Sequence, residues 1–116
     1  MGDYNQSTQW CNKAVSLNPL EVTPYFVLAQ IAENTGQLHR ARELFQKIMY
    51  IDPSFVPAYI ELGALYERQN DHIKAAGMRR AAIEILRELS PDKVIEPYDD
   101  YTVAELLAYV SKLISP

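Results

Sequence analysis

Few side chains in the sequence combine the residue type and the spacing that catalysis or metal binding requires. The two histidines, His39 and His72, lie far apart and lack the cysteine or carboxylate spacing of a metal site. Asp99 and Asp100 resemble an acid–base pair, but adjacent carboxylates in a loop before a helix usually stay solvated and favour the helix N-terminus. We therefore predict exposed turn histidines, no metal site and no catalytic role for either aspartate.

The sequence also gives little indication of a catalytic nucleophile or of a bound cofactor. Cys11 is the single cysteine, so an internal disulfide is excluded, and it lies on the apolar stripe of the first predicted helix. We predict a buried, inert thiol there. A cofactor-binding turn would need clustered glycines, whereas the glycines here are isolated in helical sequence: Gly2, Gly36, Gly63 and Gly77. We predict no enzyme activity and no cofactor for this chain.

Length, composition and charge narrow the class of protein. The chain has 116 residues, of which 48% are hydrophobic and 22% charged, as expected for one globular domain. A net charge of −4 offers no basic surface for nucleic acid. No apolar run approaches the roughly 18 residues of a membrane span, and the first ten residues do not have the pattern of a signal peptide. We therefore expect a cytoplasmic protein without membrane insertion.

One segment of the sequence occurs twice in similar form. Residues 17–29 read LNPLEVTPYFVLA, and residues 51–63, which lie 34 positions later, read IDPSFVPAYIELG. The matching pairs include Pro19 with Pro53 and Tyr25 with Tyr59. Self-similarity at a fixed period indicates a repeat protein, in which units that cannot bury an apolar face alone stack on one another.

Each 34-residue unit is predicted to contain two helices. The first helices share one apolar stripe, carried by Tyr25, Leu28, Ala29 and Ala32 and again by Tyr59, Leu62, Gly63 and Tyr66. Gly36 and Asn70 fall at the break between helices, where left-handed backbone angles are useful. The array covers residues 1–89: residues 2–21 form the second helix of a partial repeat, and residues 22–55 and 56–89 form full repeats.

This period and pattern resemble the tetratricopeptide repeat. The resemblance implies an all-α, helix-turn-helix solenoid of about two and a half repeats. Two departures lie in the last second helix, where Arg79 replaces an aromatic residue and Arg87 replaces proline. Because that proline is missing, we predict that the helix continues to about Leu89.

The tail is predicted to end in a capping helix. Residues 90–102 contain two prolines and no helical period, which indicates a linker loop. Thr102 and Glu105 have the spacing of a capping box, with Tyr101 and Leu106 placed as a hydrophobic staple. Residues 103–114 would then form a helix whose apolar face covers the last repeat: Val103, Leu106, Leu107, Val110, Leu113 and Ile114.

The resemblance also implies a ligand groove along the first helices of the repeats. Carried over by repeat position, its residues are Thr23, Phe26, Gln30 and Glu33, followed by Pro57, Ile60, Ala64 and Glu67. We expect the ligand to be a protein or peptide with a large apolar residue beside Lys or Arg. The apolar residue of this ligand would contact Phe26 and Ile60. The alternative is that these two residues pack against neighbouring helices. The Lys and Asn residues of a carboxylate clamp are absent from these positions.

The repeats followed by LRELSPDKVI and VAELLAYVSKLI resemble the repeat appendage of some bacterial chemotaxis-receptor methyltransferases. Such an enzyme would methylate receptor glutamates with S-adenosylmethionine, through a catalytic domain outside this sequence. A free-standing scaffold is the alternative. We expect the partner to be either another protein or another domain of the parent chain. The open start of the repeat array also favours a homodimer through the N-terminal end.

Overall fold

The computed structural model describes residues 4–114 and is all-α, as predicted. Within this range there are six helices and no strand. The helices are α1 (Tyr4–Leu17), α2 (Val22–Asn34), α3 (Leu38–Ile51), α4 (Val56–Arg68), α5 (His72–Arg87) and α6 (Val103–Ile114). None of the helices in this range has the length and apolarity needed to cross a membrane.

The described residues divide into two compact units, one ending at Pro53 and the other beginning at Ser54. The first unit holds α1 to α3 and the second holds α4 to α6. Length alone predicted a single domain. The division arises because packing between helices is concentrated within successive pairs, α1 with α2, α2 with α3, α4 with α5 and α5 with α6.

The core of the first unit is built around an aromatic pair. Phe26 on α2 and Phe45 on α3 meet edge to face, with ring centroids 5.8 Å apart. Edge-to-face contacts of this kind stabilise beyond the apolar area they bury. Tyr25 donates a hydrogen bond from its hydroxyl to the Pro19 carbonyl at 2.9 Å, which ties α2 to the turn before it.

The core of the second unit is formed by all three of its helices. Its buried members include Val56 on α4, Ala82, Ile83 and Leu86 on α5, and Val103, Leu106 and Val110 on α6. Tyr59, Ile60 and Tyr98 pack against this cluster with part of their surface exposed. The terminal helix therefore supplies apolar cover to the last helix pair.

The turns after α2 and α4 have the same backbone geometry. Gly36 has a φ of 79° and Asn70 a φ of 63°, as predicted for these two positions. The following residues close the helices in the same way, because Gln37 donates to the Ala32 carbonyl at 2.8 Å and Asp71 to the Tyr66 carbonyl at 2.9 Å. This is the Schellman arrangement, in which a left-handed residue lets the chain satisfy the last helical carbonyls.

The helix predicted to run to Leu89 ends earlier, at Arg87. Glu88 and Leu89 donate instead to carbonyls three residues back, Ile85 at 3.1 Å and Leu86 at 3.1 Å. Such bonds tighten the last turn and end an α-helix without proline. The loop that follows is held to the start of α6, because the Val103 amide donates to the Lys93 carbonyl at 2.7 Å.

The predicted capping box is present at the start of α6. The Glu105 amide donates to Thr102 Oγ1 at 3.2 Å, and the Thr102 amide donates to Glu105 Oε1 at 2.9 Å. The apolar face of α6 is narrower than predicted. Leu107 packs against the core of the unit with part of its surface exposed, whereas Leu113 remains 41% exposed.

Candidate partner-binding site

The second unit contains an open cleft between α4, the loop after α5 and the N-terminal half of α6. Its volume is about 410 Å³. The cleft is lined by Ile60, Glu61, Tyr98, Tyr101, Glu105, Leu106 and Tyr109. This volume lies in the range of clefts that hold small molecules or single anchoring side chains.

Aromatic side chains dominate the rim of the cleft. Tyr101 is 53% exposed and Tyr109 57% exposed, although both are large and partly apolar. Tyr98 donates a hydrogen bond from its hydroxyl to Oε2 of Glu61, which fixes the loop to α4. The predicted staple residues, Tyr101 and Leu106, both face this cleft. Exposed tyrosines of this kind are well suited to binding, because each offers an apolar ring and a polar hydroxyl.

The first four predicted groove residues lie on α2 in the first unit. Thr23 and Gln30 are exposed and Glu33 is partly buried. Phe26 is only 5% exposed because its ring packs against Phe45. Phe26 is therefore not the accessible apolar anchor that we expected. It packs against a neighbouring helix instead, which is the alternative given above.

The other four predicted groove residues lie on α4 in the second unit. Ala64 is exposed, Ile60 and Glu67 are partly buried, and Pro57 is buried in the first turn of the helix. Ile60 packs against the core of the unit and also lines the tyrosine-rich cleft. Of the two predicted apolar anchors, Ile60 is thus the one with surface available to a ligand.

Glu67 is engaged within the chain. Arg79 on α5 donates from Nη1 to Glu67 Oε1 at 2.7 Å, and His72 contacts Oε2 of the same carboxylate. The hydrogen bond from Arg79 holds the pKa of Glu67 below its ordinary value, with a smaller contribution from His72. The carboxylate is therefore charged, but part of its charge is already compensated by Arg79.

Arg79 is buried, with 8% of its surface exposed. Its Nε has no hydrogen-bond partner among the described residues. The stem of the side chain lies against Gly63, where an added Cβ would come within 3.3 Å of Arg79 Cγ. Gly63 therefore leaves the room that the arginine stem occupies.

The residues considered for catalysis or metal binding do not line this cleft. His39 and His72 have exposed side chains near the starts of α3 and α5, in agreement with turn histidines. Cys11 is fully buried, and burial raises the pKa of its thiol, as expected of an unreactive cysteine. Across residues 4–114, no three side chains of His, Cys, Asp or Glu form a group that would hold a metal ion.

The sequence analysis assigned none of the three cleft tyrosines to a binding site, and it identified Tyr101 only as a staple residue. Tyr98 and Tyr101 lie in a stretch interpreted as a linker, and Tyr109 lies outside the apolar face assigned to α6. A signal was available, since three tyrosines within twelve residues are unusual for a solvated linker and helix surface. Their approach to Glu61 depends on the loop folding back, which the repeat period does not predict.

Comparisons with known proteins agree with this architecture. Residues 22–55 match the tetratricopeptide repeat, and these are the residues of the first full repeat. The crystal structure of MamA is similar with a TM-score of 0.67 and 25% identity, over 70% of this chain and 47% of that one. The tetratricopeptide repeat domain protein of Salinibacter ruber gives a TM-score of 0.59 and 25% identity, over 80% of this chain and 98% of that one.

A curated relative shares sequence with most of the chain. It is the probable biofilm formation methyltransferase WspC of Pseudomonas aeruginosa, which is 24% identical over 91 residues. The match covers 78% of this chain and 21% of WspC, so the chain spans about a fifth of that relative. Because the repeat period, the paired helices, the matched repeat and the solved structures agree, residues 22–55 are a tetratricopeptide repeat and the chain has the fold of a tetratricopeptide-repeat domain.

Proposed function

We propose that this domain is a regulatory or targeting appendage of a methyltransferase that acts on chemotaxis-receptor glutamates. The observation that carries the proposal is the similarity to WspC, which extends over 78% of this chain. In this role the domain binds a protein, or another domain of its own parent chain, and so sets where or when methyl transfer occurs. The catalytic domain and S-adenosylmethionine belong to the rest of the parent protein.

The partner contacts in this proposal are the accessible members of the predicted groove. Thr23, Gln30 and Ala64 are exposed, and Ile60 retains part of its surface. Buried apolar anchors usually supply most binding energy, whereas polar residues at the rim select the partner. Ile60 is accordingly the apolar contact, and Phe26 and Pro57 shape the helices from inside.

The test compares the parent protein with a version that lacks residues 1–116. Receptor methylation in cells and methylation of purified receptor are both measured. The proposal predicts an altered rate in cells or a lost location, with methyl transfer retained in the purified reaction. A parent without a methyltransferase domain, or identical methylation and location with and without these residues, would show the proposal to be wrong.

Binding through the groove has its own readout. Partners are captured with the parent protein and with Gln30→Lys, Ala64→Arg and Ile60→Ala variants, after each is shown to be folded. Glu67 is avoided because its substitution would disturb the buried Arg79. The control is Glu84→Ala on the exposed surface of α5. Reduced binding by the groove variants alone supports the assignment, and equal binding by all of them opposes it.

A free-standing scaffold is a second candidate. It is favoured by the similarity to the tetratricopeptide repeat domain protein of Salinibacter ruber, because the match covers 98% of that chain. The parent sequence separates the two candidates. A methyltransferase domain in the same polypeptide supports the appendage, whereas repeats alone support the scaffold.

A further inference from the structure

The cleft of the second unit combines aromatic rings with negative charge. Ile60 and Leu106 contribute apolar surface to its lining, and Tyr98, Tyr101 and Tyr109 contribute three phenol rings. Two carboxylates, Glu61 and Glu105, also line it. None of the lining residues is Lys, Arg or His. The cleft therefore has a formal charge of −2 without an internal cation to compensate it.

Each carboxylate is held in its orientation by a hydrogen bond to one of its two oxygens. Oε2 of Glu61 accepts from Tyr98, and Oε1 of Glu105 accepts from Thr102. In the part of the chain that the structure describes, no hydrogen bond or ion pair is made by Glu61 Oε1 or by Glu105 Oε2. The partial positive charge at the N-terminus of α6 is offset by Glu105 in its first turn. The pair thus presents oriented acceptors to an incoming cation.

We infer that this cleft binds an arginine side chain, flanked by an apolar residue, from a partner protein or peptide. The inference rests on the proposed function as a protein-binding domain. A guanidinium group stacks on tyrosine faces and donates several hydrogen bonds to carboxylates. The apolar neighbour covers Ile60 and Leu106. A volume of about 410 Å³ leaves room for both side chains.

Charge complementarity favours this occupant over a purely apolar one. An apolar side chain in the cleft would take the Glu61 carboxylate away from water with only the Tyr98 hydroxyl to compensate it, which opposes binding. Lysine carries the charge but lacks the planar group that matches both rings and carboxylates. We therefore expect the order arginine, lysine, neutral residue.

The test is an NMR titration of the 116-residue chain with short capped peptides. The probe is Ac-Gly-Leu-Arg-Gly-NH2, and its matched analogues contain lysine or citrulline at the third position. Citrulline keeps the shape of arginine without its charge. The titration is repeated with Glu61→Gln and Tyr109→Ala, and with Glu84→Gln and Tyr50→Ala as controls at exposed positions on other helices.

The arginine peptide is expected to shift the amide signals of the cleft residues, and the citrulline peptide is not. Glu61→Gln should weaken binding about fivefold, the upper range for an exposed ion pair, and should reduce its salt dependence. Tyr109→Ala should weaken binding as well, whereas both control variants should bind as the original chain does. These results together support an arginine site.

Three results would overturn it: no shifts at the cleft, equal shifts with the arginine and citrulline peptides, or equal loss in the control variants. The proposed function has separate readouts, namely partner capture and methylation by the parent protein. Cleft variants that leave peptide binding unchanged while partner capture persists would reject the arginine site alone. A domain that captures no partner would reject the proposed function.

Discussion

Arg79 donates from Nη1 to Oε1 of Glu67 at 2.7 Å, at a position where the preceding repeat has an aromatic residue. That counterpart is Phe45, which packs edge to face on Phe26. The second repeat thus replaces part of an aromatic core with a buried guanidinium. Gly63 takes part in the change, since its counterpart is Ala29 and a Cβ at Gly63 would crowd the arginine stem.

The first prediction concerns the energetics of this ion pair. Glu67→Ala should lower stability because it leaves Arg79 buried without a carboxylate, and unpaired buried charges are strongly unfavourable. Arg79→Met should leave stability unchanged or raise it, because an apolar side chain of similar length avoids the cost of burying charge. The double variant should be more stable than Glu67→Ala alone, as measured from urea unfolding midpoints.

Glu84→Ala, at an exposed position on α5, is the matched control and should leave the midpoint close to that of the original chain. A double variant no more stable than Glu67→Ala would mean that the two side chains act independently. In that case the pair would not account for the arginine in the core.

The second prediction concerns how the stability of the fold changes as the pH is lowered. The pKa of Glu67 is lowered in the folded chain from an ordinary value of 4.5, chiefly by the hydrogen bond from Arg79. A group with a lowered folded pKa stabilises the fold above its ordinary pKa, and this contribution is lost as the pH falls through the folded value. Urea midpoints should therefore fall more steeply below about pH 4.5 in the original chain than in Glu67→Gln.

Glu84→Gln provides the comparison, because it removes an exposed carboxylate on α5. Its acid curve should run parallel to that of the original chain. If Glu67→Gln also runs parallel, the hydrogen bond from Arg79 does not persist in solution.

The helical architecture was predictable because its signals are local and are repeated. Each signal lies within a few residues of sequence. The apolar stripe is marked by Tyr25 and Tyr59, the left-handed turns by Gly36 and Asn70, and the helix cap by Thr102 with Glu105. A helix period and its terminators act over such short distances, so the sequence alone indicates them. The left-handed turns and the capping box were accordingly found where they were predicted.

The candidate site was predictable only in part. Ile60 was identified by its repeat position, but Tyr98 reaches Glu61 across 37 residues through an irregular loop. The burial of Phe26 likewise depends on which neighbour meets its ring. Contacts between distant segments depend on loop geometry and tertiary packing, and neither is encoded in a residue period.

The third prediction tests the contribution of α6 to the fold. Leu106 is 5% exposed in the core of the second unit, so Leu106→Ala should cost about 2–5 kcal/mol of unfolding free energy. Leu113→Ala is the same substitution on the same helix, at a residue that is 41% exposed. It should cost less than about 1 kcal/mol, because little apolar surface is lost from the core. Similar losses in both variants would contradict the packing described for α6.

The fourth prediction concerns the left-handed turns. Gly36→Ala should destabilise the chain by about 1–2 kcal/mol, because a Cβ at positive φ meets the following carbonyl. Asn70→Gly should be neutral or stabilising, since glycine adopts the same angles without that contact. Gln69→Ala, beside this turn with a φ of −95°, is the control and should change little. Equal thermal stability of Gly36→Ala and the original chain would show that the turn relaxes in solution.

The last prediction concerns the exposed apolar side chains of the first unit. Cys11 is fully buried, as predicted, whereas three large apolar side chains near this end are exposed, Trp10 at 65%, Leu17 at 78% and Leu20 at 72%. Exposed large apolar side chains favour association, so sedimentation velocity should show a dimer whose population rises with concentration. Trp10→Lys with Leu17→Lys should abolish this dimer, whereas Tyr50→Lys, at a residue that is 84% exposed on α3, should not. A monomer at every concentration, or equal association by both variants, would mean that this end of the chain does not pair with itself.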